Sequence, residues 1–335
     1  MKRLIICCDG TWQDARSAQV TNVVKISRAI LPRASDGAEQ TVFYQPGLGT
    51  EGGRKLREGA LGAGLDREIQ DAYRFLVHNF QPGDEIWCFG FSRGAYTARS
   101  LIGLIRNVWL LKKAESQRID DAYHIYRTHW GPDADNAVRF REAYCQPATI
   151  RLLGVWDTVG SLGIPLALFD GFNAERYNFH DTQISRIVEH AYHALAIDER
   201  RLPFAPTIWQ TGAGRTQTEQ SWFSGSHGDI GGGHHEGGLA DETLQWLINR
   251  AQSCGLECDE RYLDQLGEQA GKATVHRSDR GAWKLLGREW RSIGATNGDE
   301  IVHHSAEQRY LNDSRYRPAN LRDYFSHNEQ INLPL

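Results

Sequence analysis

The stretch Pro82-Gly83-Asp84-Glu85-Ile86-Trp87-Cys88-Phe89-Gly90-Phe91-Ser92-Arg93-Gly94-Ala95 decides how this chain is read. Pro82-Gly83 marks a turn, Asp84 to Phe89 reads as a short buried strand, and Ala95 to Ile105 as a helix. Between strand and helix stands Gly90-Phe91-Ser92-Arg93-Gly94, a G-x-S-x-G pentapeptide. In that setting the motif lifts a serine hydroxyl onto a sharp turn above a sheet, the exposure a nucleophile requires. Gly90 and Gly94 leave room for a strained turn, and with Ala95 and Ala98 they let the new helix lie close to neighbouring strands. A tight packing turn with an ordinary serine has the same letters, so the strand before and the helix after carry the inference.

Outward from this stretch, strands and helices alternate as a parallel sheet with crossovers requires. Strands are expected at Arg3 to Cys8, Thr41 to Tyr44, Glu85 to Phe89, Ile150 to Trp156, Ala191 to Ile197 and Glu219 to Phe223. From Asp66 to Phe80, the residues Ile69, Ala72, Tyr73, Leu76, Val77 and Phe80 share one apolar helical face. A further helix, Asp241 to Ser253, stops at Gly255. The fold class is α/β, a mainly parallel central sheet flanked by helices, in one domain over 1–335. Two regions exceed a minimal sheet: a helical insertion at 108–146, either a lid or a plain packing pair, and a carboxyl-terminal extension at 256–335. The glycine-rich stretch Gly47 to Gly64 is expected to form a mobile or tightly curved loop; no Lys-Ser or Lys-Thr follows it, as a phosphate-binding loop would need.

Composition narrows the function classes. With 335 residues, 40% hydrophobic and 24% charged, the chain is an ordinary globular one. A net charge of -4 gives no basic footprint, which argues against a nucleic-acid partner. Asp9 ends the first apolar run too early for a signal-peptide core, and no segment is long enough to span a bilayer. The expectation is a cytoplasmic protein, with export by a signal-independent route left open. Six cysteines fit small buried hydrophobes better than a disulfide frame, and Cys254 and Cys258 lack the second pair of a zinc finger.

Five segments resemble a known family. They are CDGTW at Cys8 to Trp12, GDEIWCFGFSRGAYTAR at Gly83 to Arg99, GVWDTVGSLG at Gly154 to Gly163, HALAIDERR at His193 to Arg201 and FSGSHGDIGGGH at Phe223 to His234. Together they resemble the α/β-hydrolase-like domain of type VI secretion lipase effectors and related bacterial proteins, over roughly Met1 to Gln252. The resemblance implies an α/β-hydrolase-like fold and a phospholipase or related lipid esterase acting on a lipid or small ester, with peripheral membrane contact. No cofactor is expected.

A serine is a weak nucleophile unless a histidine takes its proton and an acid orients that histidine. In α/β-hydrolases the chain order is Ser, then Asp or Glu, then His. Asp157 ends the strand closing on Val155-Trp156, and His227 follows the strand closing on Trp222-Phe223; the resemblance points to the same pair. Asp198, also at a strand end, is the alternative acid. The oxyanion donors are expected from the backbone of Arg93 and of Gly10 or Thr11, with Asp9 fixing the first loop and Asp229 in support. Ile164 to Phe169 is either an acyl-pocket wall or core.

Three rival readings compete. Asp-Gly-Thr after a first strand resembles the haloacid-dehalogenase phosphatases, but Cys7 stands where their nucleophilic aspartate belongs. A metal-dependent hydrolase could draw on His227, Asp229, His234, His235 and Glu236, whose spacing matches no known metal frame. A non-catalytic binding module on the same fold would tolerate Ser92→Ala without loss of function.

Overall fold

The computed structural model describes residues 1–10, 19–47, 58–128, 131–159, 183–210, 216–269, 273–279, 283, 287–295 and 299–327, and among these described residues there are nine strands. They are β1 (Lys2–Cys8), β2 (Glu39–Gln45), β3 (Glu85–Phe91), β4 (Leu110–Leu111), β5 (Cys145–Gln146), β6 (Ile150–Trp156), β7 (Val188–Ala196), β8 (Gln217–Phe223) and β9 (Glu300–Val302). Seven form one sheet in the order β2-β1-β3-β6-β7-β8-β9, every neighbouring pair parallel. The short β4 and β5 pair antiparallel apart from it. Helices are α1 (Asn22–Ala29), α2 (Glu58–Asn79), α3 (Arg93–Val108), α4 (Ile119–Arg127), α5 (Asp135–Tyr144), α6 (His227–Gly231), α7 (Gly238–Ser253), α8 (Glu260–Gln269), α9 (His304–Asn312) and α10 (Ala319–His327). The fold is α/β-hydrolase-like.

The central strands are apolar on both faces because helices cover both. Leu4, Ile6, Ile86, Cys88, Leu153 and Val155 point into a core shared with Ile69, Tyr73 and Leu76 of α2 and Ala98, Leu101 and Ile105 of α3. Their alternates Ile5, Cys7, Trp87, Phe89, Leu152 and Trp156 point the other way, against Val23 and Ile26 of α1 and Leu244, Leu247 and Ile248 of α7. The period of two along each strand thus divides one hydrophobic sequence between two cores. All six cysteines are free and buried, and burial pushes the Cys88 thiol up to about 12.

Strand order positions the site. From β1 the chain pairs first with β2 on one side and then with β3 on the other. The order reverses between β1 and β3, and open α/β sheets leave a crevice at the carboxyl ends of such a pair. Gly10 and Ser92 stand there.

The insertion after α3 is stapled by the β4–β5 pair. Ile119, Ala122, Tyr123 and Phe140 join the core of α2 and α3, and the Tyr123 hydroxyl donates to Asp66 at 2.7 Å. In the carboxyl-terminal extension, β9 adds the edge strand beside β8, and Tyr310 of α9 with Leu321 and Phe325 of α10 builds a third cluster on Trp222 and Leu195. No helix among the described residues is long and apolar enough to cross a membrane. Thr11, Ile164 to Phe169 and residues 48–57 of the glycine-rich stretch lie outside the described residues.

Candidate active site

Ser92 sits between β3 and α3 with φ 58° and ψ -120°, a conformation that few non-glycine residues adopt. The strain is held by neighbours: the Ser92 amide donates to the Trp156 carbonyl at 3.1 Å, tying the turn to the end of β6. The flanking glycines are steric necessities. A Cβ at Gly90 would lie 2.6 Å from the Gly94 oxygen, and one at Gly94 would collide with the Cys8 and Asp9 carbonyls at the end of β1. Helix α3 can therefore start only where both lack side chains.

Asp157 and His227 approach this serine from two other strand ends. Asp157 follows β6 at φ 38°, its amide donating to the Ala194 carbonyl at 2.7 Å. His227 opens α6 directly after β8. His227 Nε2 lies 2.8 Å from Ser92 Oγ, and His227 Nδ1 lies 2.6 Å from Asp157 Oδ2. Ser92 and His227 are each 7% exposed and Asp157 0%, so the chain of hydrogen bonds runs from a nearly closed opening to a fully buried carboxylate. Phe91 and Phe204 flank the imidazole, ring centroids 4.6 and 5.0 Å away.

Two buried groups brace this arrangement. Arg291 donates to Asp157 Oδ1 at 2.6 Å and to Oδ2 at 3.0 Å, and the same two terminal nitrogens also donate to the Ala196 and Phe204 carbonyls. Burial alone pushes the Asp157 carboxyl up; the Arg291 charge and the bond and charge of His227 outweigh it and hold Asp157 far below the usual carboxylate range. Glu199 accepts from the His227 amide at 3.2 Å and from Arg201 through both oxygens. It fixes the start of α6, and with it the imidazole. Neither Arg291 nor Glu199 was singled out from sequence. Glu199 lies within the HALAIDERR segment, whereas Arg291 stands in no motif and is brought in by the carboxyl-terminal extension.

The remaining candidates divide. Arg93 opens α3, where first-turn amides lack partners within the helix. Gly10 lies beside the serine, an added Cβ there being 3.5 Å from Ser92 Cβ, but its amide donates to Asp9 Oδ1 at 2.7 Å. Asp9 also accepts from Thr21 and Tyr44, which fixes the carboxylate that holds the Gly10 amide. Asp198 is not brought to His227. It accepts from the Gly225 amide at 2.7 Å and the Tyr316 hydroxyl at 2.8 Å, and burial raises its carboxyl to about 6. Asp229 forms a capping box with Ser226 at the start of α6. Of the five residues weighed for a hydrolytic metal centre, His227 is turned to Ser92, and His235 and Glu236 are exposed. Among the described residues, Asp229 and His234 instead gather with His276, which sequence reading missed.

A parallel sheet with a serine on the elbow after β3, and a histidine and an aspartate meeting it from later strand ends, defines an α/β-hydrolase-like protein. Residues 2–250 match the family described as "T6SS, Phospholipase effector Tle1-like, catalytic domain", and the chain belongs to that family. An uncharacterized protein of Saccharomyces cerevisiae is 33% identical over 229 residues, 61% of this chain and 32% of that protein. The chain thus spans about a third of the length of that curated relative. Among solved structures, an uncharacterized protein from Pseudomonas aeruginosa has a TM-score of 0.43 at 16% identity, over 81% of this chain and 49% of the other. The Tle1 effector bound to the VgrG spike of the type VI secretion system has a TM-score of 0.44 at 17% identity, over 70% and 52%.

Proposed function

We propose that this protein is a serine hydrolase that cleaves a carboxylic ester of a lipid, through an acyl-enzyme. Ser92 Oγ attacks the ester carbonyl while His227 Nε2 takes its proton; Asp157 orients the imidazole and stabilises the imidazolium that forms. The Arg93 amide, at the N-terminus of α3, receives the negative charge developing on the carbonyl oxygen. His227 then protonates the departing alcohol. Water, deprotonated by the same imidazole, releases the carboxylic acid and restores Ser92.

The observation that carries this reading is the continuous chain from Ser92 Oγ through His227 to Asp157, at 2.8 and 2.6 Å. A packing serine has no need of a histidine bonded in turn to a buried aspartate. The lipid substrate rests on membership of a phospholipase family and fits the apolar surround of the imidazole. Phe204 lies against His227, and two residues before it Leu202 is 50% exposed, an apolar rim suited to an acyl chain or a membrane surface. The test is hydrolysis of a phospholipid and acyl-ester panel by wild type and Ser92→Ala. Turnover confined to the wild type supports the assignment, and equal turnover in both contradicts it.

A further inference from the structure

We infer that Asp229, His234 and His276 form a binding site for one transition-metal dication, zinc by ligand chemistry, beside the short helix that carries His227. The inference is independent of the ester chemistry. One donor atom from each residue lies within 4.8 Å of the others. Asp229 Oδ1 is 2.6 Å from His276 Nδ1 and 3.8 Å from His234 Nε2. Ligands about 2.0–2.1 Å from a tetrahedral zinc stand roughly 3.3 Å apart, so these separations bracket the required one, and the stacked imidazoles must swing out of parallel to bring both lone pairs onto one ion. Two imidazoles and one carboxylate suit zinc and its neighbours; calcium and magnesium want oxygen ligands throughout.

Three observations point to an ion rather than to a chance meeting of side chains. Asp229 is buried, yet among the described residues its ion-pair partners are the two histidines, with no lysine or arginine. A buried carboxylate ordinarily has a permanent cation or a metal against it. Its other oxygen is fully used: Oδ2 accepts from the Ser226 amide at 2.8 Å, the Ser226 hydroxyl at 2.9 Å and the His276 amide at 2.9 Å. That fixes the carboxylate as outer-shell partners fix a metal ligand, with Oδ1 turned to both imidazoles. Third, the space for His234 is made by a missing side chain, since a Cβ at Gly228 would lie 2.6 Å from His234 Nε2. The imidazoles stack at 4.2 Å, His234 exposed and His276 half-buried, leaving an outer side where water completes the coordination. On binding, the Nδ1 proton that His276 shares with Asp229 moves to Nε2, so that Nδ1 ligates as part of a neutral imidazole. The bound ion would tie the segment around His276 to α6, and so brace the helix that presents His227.

The experiment uses the full chain, stripped with chelator and titrated with zinc chloride, reading bound metal by elemental analysis and the thermal midpoint. Expected are one zinc per chain and a midpoint raised by about 4 °C at a hundredfold excess over the dissociation constant. His234→Gln and His276→Gln, at an exposed and a half-buried position, should each weaken zinc binding at least tenfold. Cobalt(II) gives a second reading on the unmutated protein, with nitrogen and oxygen ligation and no thiolate charge-transfer band expected. Failure of the stripped protein to bind zinc saturably, binding unchanged in both variants, or a cobalt–thiolate band would each overturn the site.

Discussion

Arg291 holds both oxygens of Asp157, at 2.6 and 3.0 Å, although 134 residues separate them in sequence. The pair is buried, and Asp157 already serves His227. A carboxylate shared between an imidazole and a guanidinium cannot rotate, so the acid of the proposed triad is fixed from two sides. Removing one partner of a buried pair leaves an uncompensated charge, which costs about 3 kcal/mol or more. Arg291→Met is therefore expected to lower the urea midpoint by a corresponding amount. At a temperature where the variant is folded, kcat should fall on the order of a hundredfold through misplacement of the imidazole, with KM little changed. Lysine should not rescue kcat, since an ammonium cannot reproduce the fork.

Asp157 and Asp198 both end strands, and geometry separates them. Asp157→Asn is expected to lower kcat on the order of a thousandfold or more, through the wrong histidine tautomer. Asp198→Asn, which disturbs the bonds to Gly225 and Tyr316, should lower it less than about tenfold, with its main effect on the thermal midpoint. Steady-state kinetics on the two variants checks the ranking.

Gly94 permits the contact between α3 and the end of β1. Gly94→Ala places a methyl group into the Cys8 and Asp9 carbonyls, and neither backbone can yield without moving the sheet. A destabilisation of about 3 kcal/mol is expected, read from denaturant unfolding.

Glu68 of α2 is buried beneath the elbow helix and accepts from the Thr97 hydroxyl at 3.2 Å. Burial raises its carboxyl from 4.5 to about 8, so the folded protein keeps a proton that the unfolded chain releases. The resulting stability is fully present below about pH 4.5 and is lost as pH rises through 8. Glu68→Gln removes the titration. Relative to the variant, wild type should lose unfolding free energy between pH 5 and pH 8.5, as denaturant midpoints at those two values would read.

The sheet was legible because its inner strands leave strong signals. Ile150–Trp156 was read with its observed bounds, and β1, β3 and β8 to within a few residues, since apolar runs between turn residues specify buried parallel strands. Ser92, His227 and Asp157 were legible for a related reason: each follows a readable strand, and a parallel sheet gathers strand ends on one edge. Helix α1 and strand β9 were missed. The first is eight residues of mixed polarity and the second is three residues long, so neither spans enough periods to declare itself. Arg291, Glu199 and His276 were missed because their roles come from long-range contact. An arginine in Trp290-Arg291-Ser292 reads as solvated surface until the extension folds back and buries it on Asp157.

The most direct test of the ester chemistry is labelling of the folded protein with a fluorophosphonate probe, followed by peptide mapping of the adduct. A single stoichiometric adduct on Ser92, absent from Ser92→Ala and strongly slowed in His227→Gln, is the expected result. Labelling that persists in Ser92→Ala, or maps to another residue, would contradict an activated Ser92 and with it the proposed function.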